Sequence, residues 1–191
     1  MYISIDGVDG TGKTTVAKAL AKKLGFYFVE KPFSGVFSDQ TKEKYLDIKK
    51  GLKKLGSKNA SCWFYGMNLI FASEFYRENN IVVDRGLVSN FAWMIDLENI
   101  EIFDTAIKFS GLPDFTVLIT LANDIIKQRI FERDGVGGDS YKIDYMDSIQ
   151  NKMISLLDRC NAKYVVLDRT NLDVDETIEK IVLELKKRDV I

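Results

Sequence analysis

Short apolar runs alternate along the chain with longer segments in which apolar residues recur every three or four positions. The short runs are rich in β-branched or aromatic residues and predict buried strands over residues 2–5, 26–30, 81–84, 115–121 and 163–167. The longer segments predict amphipathic helices over residues 14–24, 45–55, 60–79, 87–96, 100–110, 123–133, 144–159 and 174–185. This alternation predicts a doubly wound α/β fold with five parallel strands, formed by a single domain of residues 1–191.

The bulk composition narrows the class of protein. Apolar residues make up 46% of the 191 residues and the net charge is −1, which is typical of a globular domain. Without a basic excess we expect no DNA or RNA partner, and without a long apolar run we expect no membrane partner and a cytoplasmic location. Cys62 and Cys160 are far apart and are expected to be reduced thiols. The chain has no histidine, which excludes a histidine base, triad or metal ligand.

The first predicted strand leads into a glycine-rich loop and then a helix, with the pattern G-x-x-x-x-G-K-T. Glycines let the backbone wrap closely around oxygen atoms, and the start of the helix adds partial positive charge. This pattern predicts a phosphate-binding loop (P-loop) that holds the phosphates of ATP. Its residues are Gly7, Val8, Asp9, Gly10, Thr11, Gly12, Lys13, Thr14 and Thr15.

Phosphoryl transfer requires charge neutralisation and in-line placement more than covalent help. Lys13 is predicted to reach the outer phosphates, and the Thr14 hydroxyl to bind Mg²⁺ as the cofactor. Asp84 ends the third predicted strand, where a carboxylate could serve the metal or simply end the strand. Because Arg85 follows it directly, we favour the metal role for Asp84.

Two arginines lie four positions apart between the fourth and fifth predicted strands. Arg129 and Arg133 therefore share a helical face, which leads into the glycine-rich residues 135–138. We predict a helical lid over about residues 133–143 that brings these arginines onto the transferred phosphoryl group. The simpler alternative is a solvated helix face, balanced by Glu132.

Other polar residues follow the predicted strands and should meet at one edge of the sheet. They are Asp6, Asp9, Glu30, Asp84 and Arg85. The aromatic residues at 63, 64, 71 and 75 are expected to be mostly core, with one of them available to stack on a base. The lysines between residues 42 and 54 are interpreted as a solvated helix surface.

With these motifs the chain resembles the thymidylate kinase family of P-loop nucleoside monophosphate kinases. The resemblance rests on three blocks and spans nearly the whole length. The blocks are the P-loop with its acidic Asp9, the segment from Val82 to Trp93 with the pair Asp84-Arg85, and the arginines 129 and 133 followed by Asp139.

This resemblance implies transfer of the ATP γ-phosphoryl group to a deoxynucleoside monophosphate, with dTMP as the favoured acceptor. Arg85 would hold the acceptor phosphate, while Lys13, Arg129 and Arg133 would be the other catalytic residues, with the two arginines supplied by the lid. The family also implies a homodimer. The remaining acceptor residues implied by the resemblance are Asp9, Glu30, Phe71, Phe75, Ser89, Asn90 and Trp93.

Several positions depart from the family pattern on the acceptor side. Phe75 stands in place of an arginine that meets the base, Gly86 replaces an aromatic residue, and no arginine follows Glu30 closely. The sequence therefore leaves two alternatives open. One is a deoxynucleoside kinase that acts on thymidine or deoxycytidine with Glu30 as the base. The other is a nucleotide-binding regulatory protein that has lost acceptor chemistry.

Overall fold

The computed structural model describes residues 1–30, 42–134 and 143–191. Its strands are β1 (Tyr2–Asp6), β2 (Tyr27–Glu30), β3 (Ile81–Asp84), β4 (Phe115–Thr120) and β5 (Tyr164–Asp168). Its helices are α1 (Lys13–Leu24), α2 (Lys42–Leu55), α3 (Lys58–Phe75), α4 (Ile100–Ser110), α5 (Asn123–Asp134), α6 (Met146–Arg159) and α7 (Val174–Lys187). Among the helices in these ranges, none combines the length and apolar character that a membrane crossing needs.

The five strands form one parallel sheet in the order β2-β3-β1-β4-β5. This confirms the predicted doubly wound fold. Because all strands run the same way, their carboxyl ends meet at one edge. There Asp84 lies opposite Ile5 on one side and opposite Glu30 on the other. The sheet thus gathers the polar strand ends that the sequence placed in a common crevice.

Two apolar layers cover the sheet because its central strands alternate their side chains between the faces. On β4, Val117 and Ile119 face the layer of α1 and α7, whereas Leu118 faces the opposite layer. That opposite layer is formed by α3, α4, α5 and α6, with Phe91 and Phe103 fully buried edge to face at 5.1 Å between their ring centroids. The P-loop contacts both layers through its ends, since Val8 packs in the second layer and Val16 of α1 in the first.

The ends of two helices follow from local chemistry. Gly25 ends α1 in the left-handed conformation, with a φ of 68°. Asp173 caps α7 by accepting a hydrogen bond from the Glu176 amide at 2.8 Å, and Glu176 accepts one from the Asp173 amide at 3.0 Å. This reciprocal pair is the capping box that the D-x-x-E spacing predicts.

The helix predicted over residues 87–96 is wrong. Residues 87–94 form bends and turns, followed by a short 3-10 helix, Leu97–Asn99. The Asp6 carboxylate accepts hydrogen bonds from the amides of Leu87, Val88 and Ser89, which fixes the start of this segment to β1. Beyond it the helical ladder is interrupted: Ala92 and Ile95 donate to the carbonyl oxygen four residues before them, whereas Met94 donates to that of Phe91, three residues before it.

Candidate functional site

The P-loop needs glycine where other atoms approach its backbone closely. A Cβ on Gly7 would lie 2.5 Å from the Ile119 carbonyl oxygen, and a Cβ on Gly12 would lie 2.6 Å from Nη1 of Arg169. Gly12 also has a φ of +83° and directly precedes Lys13, the first residue of α1. The loop therefore presents its backbone, and not side chains, at the start of the helix.

Lys13 is buried at the centre of this loop, with 5% of its surface exposed. Its Nζ donates a hydrogen bond to the Val8 carbonyl oxygen at 2.6 Å. Burial, and then the nearby charge of Arg85, lower the pKa of Lys13 to about 7. An anion beside Lys13 would favour its charged form, so the loop is suited to a phosphate ligand.

Thr14 and Asp84 form a second polar pair beside Lys13. The Thr14 hydroxyl donates to Oδ2 of Asp84 at 2.5 Å, whereas the buried Oδ1 of Asp84 has no hydrogen-bond partner within the described residues. A buried carboxylate oxygen without a partner calls for a cation or a bound water. These two residues fit Mg²⁺, which takes few protein ligands and retains waters and phosphate oxygens. The described part of the chain contains no cluster of three metal-binding side chains.

Two clefts open at the carboxyl edge of the sheet. The first, which we call the P-loop cleft, has a volume of about 450 Å³. It is lined by Gly10, Gly12, Lys13, Thr14, Thr15, Arg85, Arg129, Arg133, Arg169 and Val174. The second, which we call the α2–α3 cleft, has a volume of about 640 Å³. It is lined by Asp9, Tyr45, Lys49, Leu52, Lys53, Ser61, Tyr65, Asn68, Arg85, Ser89, Asn90, Trp93, Met94 and Arg133.

Arg85 and Arg133 line both clefts and therefore stand where the clefts meet. Arg85 has a left-handed backbone with a φ of 65°, and its Nη2 donates to Oδ1 of Asp9 at 2.5 Å. Burial lowers the pKa of Arg85, but the charge of Asp9 and this hydrogen bond outweigh it and raise the pKa above its usual value. A permanent cation is thus fixed between the two cavities.

Asp6 connects the backbone segments that line the two clefts. Besides the three amides of residues 87–89, its carboxylate accepts hydrogen bonds from the Ser4 hydroxyl and from the Ser89 hydroxyl, the latter at 2.5 Å. The Ser89 hydroxyl in turn accepts the Gly7 amide at 3.0 Å. One buried carboxylate therefore links the P-loop to the segment that carries Arg85. Gly86 belongs to the same junction, since a Cβ there would lie 2.5 Å from the Ser4 hydroxyl oxygen.

Arg169 is a site residue that the sequence analysis missed. It is 5% exposed, its Nη1 donates to the Thr11 carbonyl oxygen at 3.4 Å, and its Nε has no hydrogen-bond partner within the described residues. Burial and the nearby Arg129 lower its pKa. Arg129 itself donates to the Gly10 carbonyl oxygen at 3.4 Å. The signal in the sequence was the position of Arg169 directly after the last strand, at the same sheet edge.

A family model described as "Deoxynucleoside kinase" matches residues 3–190, which is nearly the whole chain. The chain belongs to the deoxynucleoside kinase family. Its curated relatives include the thymidylate kinase of Nautilia profundicola, 23% identical over 98% of this chain and 95% of that protein. They also include the probable thymidylate kinase of Methanocaldococcus jannaschii, 26% identical over 97% of this chain and 96% of that protein. These relatives confirm the resemblance to thymidylate kinases.

Solved structures of this and related families share the fold. The thymidylate kinase of Candida albicans matches with a TM-score of 0.68 and 18% identity, covering 98% of this chain and 92% of that chain. The deoxyadenosine kinase of M. mycoides, solved with bound dCTP, matches with a TM-score of 0.62 and 20% identity, covering 98% of this chain and 100% of that chain. At such low identity these matches establish the P-loop kinase fold and no more.

Within the deoxynucleoside kinase fold, most of the predicted acceptor residues gather in one place. Five of the eight line the α2–α3 cleft, namely Asp9, Arg85, Ser89, Asn90 and Trp93. Glu30 ends β2 with an exposed side chain, at the same sheet edge. The described lining of this cleft includes neither Phe71 nor Phe75. Phe71 packs on the cluster of Tyr45 and Phe64, while Phe75 is 60% exposed and contacts Tyr76.

Two further predictions concern the lysines of α2 and the lid. The lysine-rich face of α2 is mostly exposed, as expected for a solvated surface, but exposed Lys53 and half-buried Lys49 also line the α2–α3 cleft. The predicted lid over about residues 133–143, with Asp139, falls mostly outside the described residues. The two arginines predicted to act with the lid, Arg129 and Arg133, are within the described residues, and both line the P-loop cleft.

Proposed function

We propose that this chain transfers the γ-phosphoryl group of ATP to a deoxynucleoside monophosphate, with dTMP giving dTDP as the favoured reaction. The observation that carries the proposal is the meeting of two clefts at Arg85 and Arg133. One cleft has the backbone and charge of a triphosphate site, and the other has the volume and polar lining for a second substrate. Curated relatives named as thymidylate kinases support dTMP as that substrate.

On the donor side, the P-loop amides and the start of α1 would hold the ATP phosphates. Lys13 would neutralise their charge from the centre of the loop, where burial makes its interaction with an anion strong. Thr15 lines the same cleft and would add a hydroxyl donor. Arg129 and Arg169 would supply further positive charge over the loop.

Thr14 and Asp84 would hold Mg²⁺, as the hydroxyl and the unpaired carboxylate oxygen indicate. When bound, the ion neutralises phosphate charge and orients the donor. The protein's own part is to keep these two oxygen atoms in place through β3 and the first turn of α1.

At the junction, Arg85 and Arg133 would stabilise the charge of the phosphoryl group during transfer. A monophosphate acceptor needs no protein base, because its second pKa is near 6 and its oxygens are ionised at pH 7. The chain has no histidine to act as a base, and this reaction does not require one. Asp9, Ser89, Asn90 and Trp93 would position the acceptor on the other side of the junction.

A second candidate is a deoxynucleoside kinase that phosphorylates thymidine or deoxycytidine. The matching family model favours it, as does Glu30, whose carboxylate ends the strand directly beside Asp84. A neutral hydroxyl acceptor does need a base, and Glu30 would supply it. The third candidate, a regulatory nucleotide-binding protein, would bind ATP without transferring its phosphoryl group.

An ADP-release assay with a panel of nucleosides and their monophosphates separates these candidates. We expect turnover with monophosphates, highest with dTMP. Turnover with thymidine or deoxycytidine alone, abolished in Glu30→Gln, would favour the deoxynucleoside kinase. ATP binding without turnover of any acceptor would favour the regulatory protein.

We also propose a homodimer in the cytoplasm. Trp63 and Met67 lie one turn apart on α3 and are 48% and 43% exposed, which offers an apolar strip for a second copy. One chain has a mass of 21.8 kDa, and light scattering on the purified protein should give twice this mass. A monomer at all concentrations would overturn the dimer, and recovery in the membrane fraction would overturn the location.

A further inference from the structure

One face of β1 carries polar side chains, although this strand lies in the middle of the sheet. Tyr2, Ser4 and Asp6 alternate along it with two isoleucines, which belong to the apolar layer of α1 and α7. Since successive side chains of a strand point to opposite faces, the three polar side chains share the other face. Against that face lies the segment of residues 85–89, which we call the Arg85 turn. Asp6 accepts hydrogen bonds from amides of this turn, and the Tyr2 hydroxyl donates to its second residue, so β1 supports the turn at two separate points.

The backbone of Arg85 has a conformation that residues other than glycine rarely adopt, with a φ of 65°. Such a conformation persists where the surrounding contacts fix it. Before the side chain, the Arg85 amide donates to the Ile5 carbonyl oxygen at 2.9 Å. After it, the Gly86 carbonyl oxygen accepts the Tyr2 hydroxyl at 3.0 Å. The strand β1 therefore binds the backbone on both sides of the Arg85 side chain.

Gly86 leaves the room that the Tyr2 hydroxyl occupies. A Cβ at residue 86 would lie 2.8 Å from the hydroxyl oxygen of Tyr2 and 2.5 Å from that of Ser4. Any larger side chain at this position would have to move one or both of these groups. The glycine after Arg85 and the tyrosine at the start of β1 are thus a matched pair.

The position of the Tyr2 side chain does not depend on its hydroxyl. The Tyr2 amide donates to Oδ2 of Asp114 at 2.7 Å, and the Tyr2 carbonyl oxygen accepts the Asp114 amide at 2.8 Å. The ring packs on an apolar cluster of β2 and β3. Burial, and then the charge of Asp6, raise the pKa of Tyr2 above its usual value, so the hydroxyl keeps its proton and remains a donor. Removing the hydroxyl oxygen would therefore remove one hydrogen bond and leave its support in place.

We propose that Tyr2 is a positioning residue for the acceptor, because its hydroxyl fixes the turn that directs the Arg85 guanidinium to the junction of the two clefts. This inference rests on the proposed function, in which Arg85 acts on the acceptor phosphate and on the transferred group. A guanidinium makes its full contribution only where its donors are aligned with the phosphate oxygens. Without the bond from Tyr2, the turn would adopt further conformations and Arg85 would spend less time in the productive one.

The test compares Tyr2→Phe with the matched variant Tyr164→Phe. Tyr164 is the first residue of β5, as Tyr2 is of β1, and its hydroxyl donates to Oδ1 of Asp158 on α6 at 2.7 Å. Each variant loses one hydroxyl hydrogen bond and keeps its ring. We measure kcat and KM for dTMP at saturating ATP, the dissociation constant of MgATP by calorimetry, and the temperature of thermal unfolding.

We expect Tyr2→Phe to lower kcat/KM for dTMP by about tenfold and to leave the affinity for ATP within about twofold. Tyr164→Phe should leave both values within about twofold of the original. A tyrosine that only stabilised the fold would lower the unfolding temperature without this difference between acceptor and donor. Unchanged kinetics with dTMP in a folded Tyr2→Phe protein would overturn the inference, as would an equal loss of ATP affinity.

A positioning residue acts through the residue that it positions. Tyr2→Phe is therefore also made in the Arg85→Ala protein, where we expect it to change kcat/KM for dTMP by less than about twofold. The full tenfold loss in that background would show that the hydroxyl acts by another route and would overturn the inference, while the proposed function would stand. No turnover of any monophosphate by the original protein would overturn the proposed function and this role of Tyr2 with it.

Folding does not limit the test. Each variant is compared with the original protein by near-ultraviolet circular dichroism, and assays are run well below the unfolding temperature of each. If Tyr2→Phe does not fold, Gly86→Ala replaces it, because the added Cβ would displace the same hydroxyl from the other side of the hydrogen bond. Gly86→Ala should show the same loss with dTMP and the same affinity for ATP. Unchanged kinetics with dTMP in that variant would overturn the inference.

Discussion

The two clefts differ in how the chain builds them. The P-loop cleft takes half of its lining from the continuous stretch between Gly10 and Thr15, which a strand and a helix hold at either end. The α2–α3 cleft collects its lining from α2, α3, Asp9, the turns after β3 and Arg133. A cavity made by one local motif keeps its chemistry wherever that motif folds. A cavity assembled from distant segments can change its substrate by small changes in any of them.

Removing the charge of Lys13 should lower activity more than any other change. It should affect kcat/KM for ATP and for the acceptor alike. We expect Lys13→Ala to lower kcat/KM by about a thousandfold for both substrates, because the donor phosphates lose their buried cation. Steady-state assays check this, with Lys22→Ala as the matched control, since Lys22 is exposed on the last turn of α1. Activity within a few-fold of the original would contradict the role of Lys13.

Removing Arg85 should impair use of the acceptor much more than binding of ATP, which distinguishes the roles of the two clefts. We expect Arg85→Ala to lower kcat/KM for the acceptor by about a hundredfold, through both KM and kcat, because a positioned guanidinium contributes about 3 kcal/mol to phosphate contacts. The affinity for ATP, measured by calorimetry, should change less than threefold. Arg77→Ala is the control, since Arg77 lies on the surface and pairs with Glu74. An equal loss of ATP affinity would place Arg85 on the donor side.

Removing Arg169 should produce the opposite pattern. We expect Arg169→Met to weaken ATP binding about tenfold, which corresponds to roughly 1.4 kcal/mol, while the KM for the acceptor stays unchanged. The buried guanidinium has an unpaired Nε and lies against the loop at Gly12, so a donor phosphate would complete its surroundings. Calorimetric titration with MgATP measures the change. A rise in the acceptor KM instead would contradict the assignment to the P-loop cleft.

The pH dependence of ATP binding should give the smallest effect. With a pKa of about 7 in the free protein, Lys13 is mostly uncharged at pH 8 and must take up a proton when an anion binds beside it. ATP affinity should therefore fall roughly fivefold between pH 7 and pH 8. The free energy of unfolding of the free protein should change with pH in the opposite direction. Above pH 7 the unfolded state holds the Lys13 proton more than the folded state does, so the contribution of Lys13 to stability rises with pH.

Calorimetry in two buffers with different ionisation enthalpies detects the proton taken up by Lys13. The Lys22→Ala control should show the same uptake, whereas Lys13→Met should lose both the uptake and the slope. An affinity for ATP that is constant between pH 7 and pH 9 would contradict the lowered pKa.

The fold and the P-loop cleft could be predicted from the sequence because both depend mainly on local patterns. Apolar runs gave the five strands, and the spacing of Gly7, Gly12 and Lys13 gave the loop. Asp173 and Glu176 gave a helix start from two residues alone. In each case the residues that interact are close along the chain.

The α2–α3 cleft could be predicted only in part, because its lining joins distant segments. The helix expected over residues 87–96 does not form; bends and turns replace it, and their start is bound to Asp6, which lies about 80 positions earlier in the chain. Helical periodicity cannot reveal whether Lys49 faces solvent or a cavity, because that depends on how α2 lies against α3. Phe71 matched the family by sequence but packs beside Tyr45 and Phe64.

The Asp6 carboxylate has a consequence for redesign. Since it binds the backbone of residues 87–89 and, through Ser89, the amide of Gly7, substitutions in that segment will disturb ATP binding as well as acceptor choice. Helix α2 lies outside this network of hydrogen bonds. An engineer who wants a new acceptor should therefore diversify the cavity-facing positions of α2 first, because changes there leave Arg85, Arg133 and the Asp6 hydrogen bonds intact.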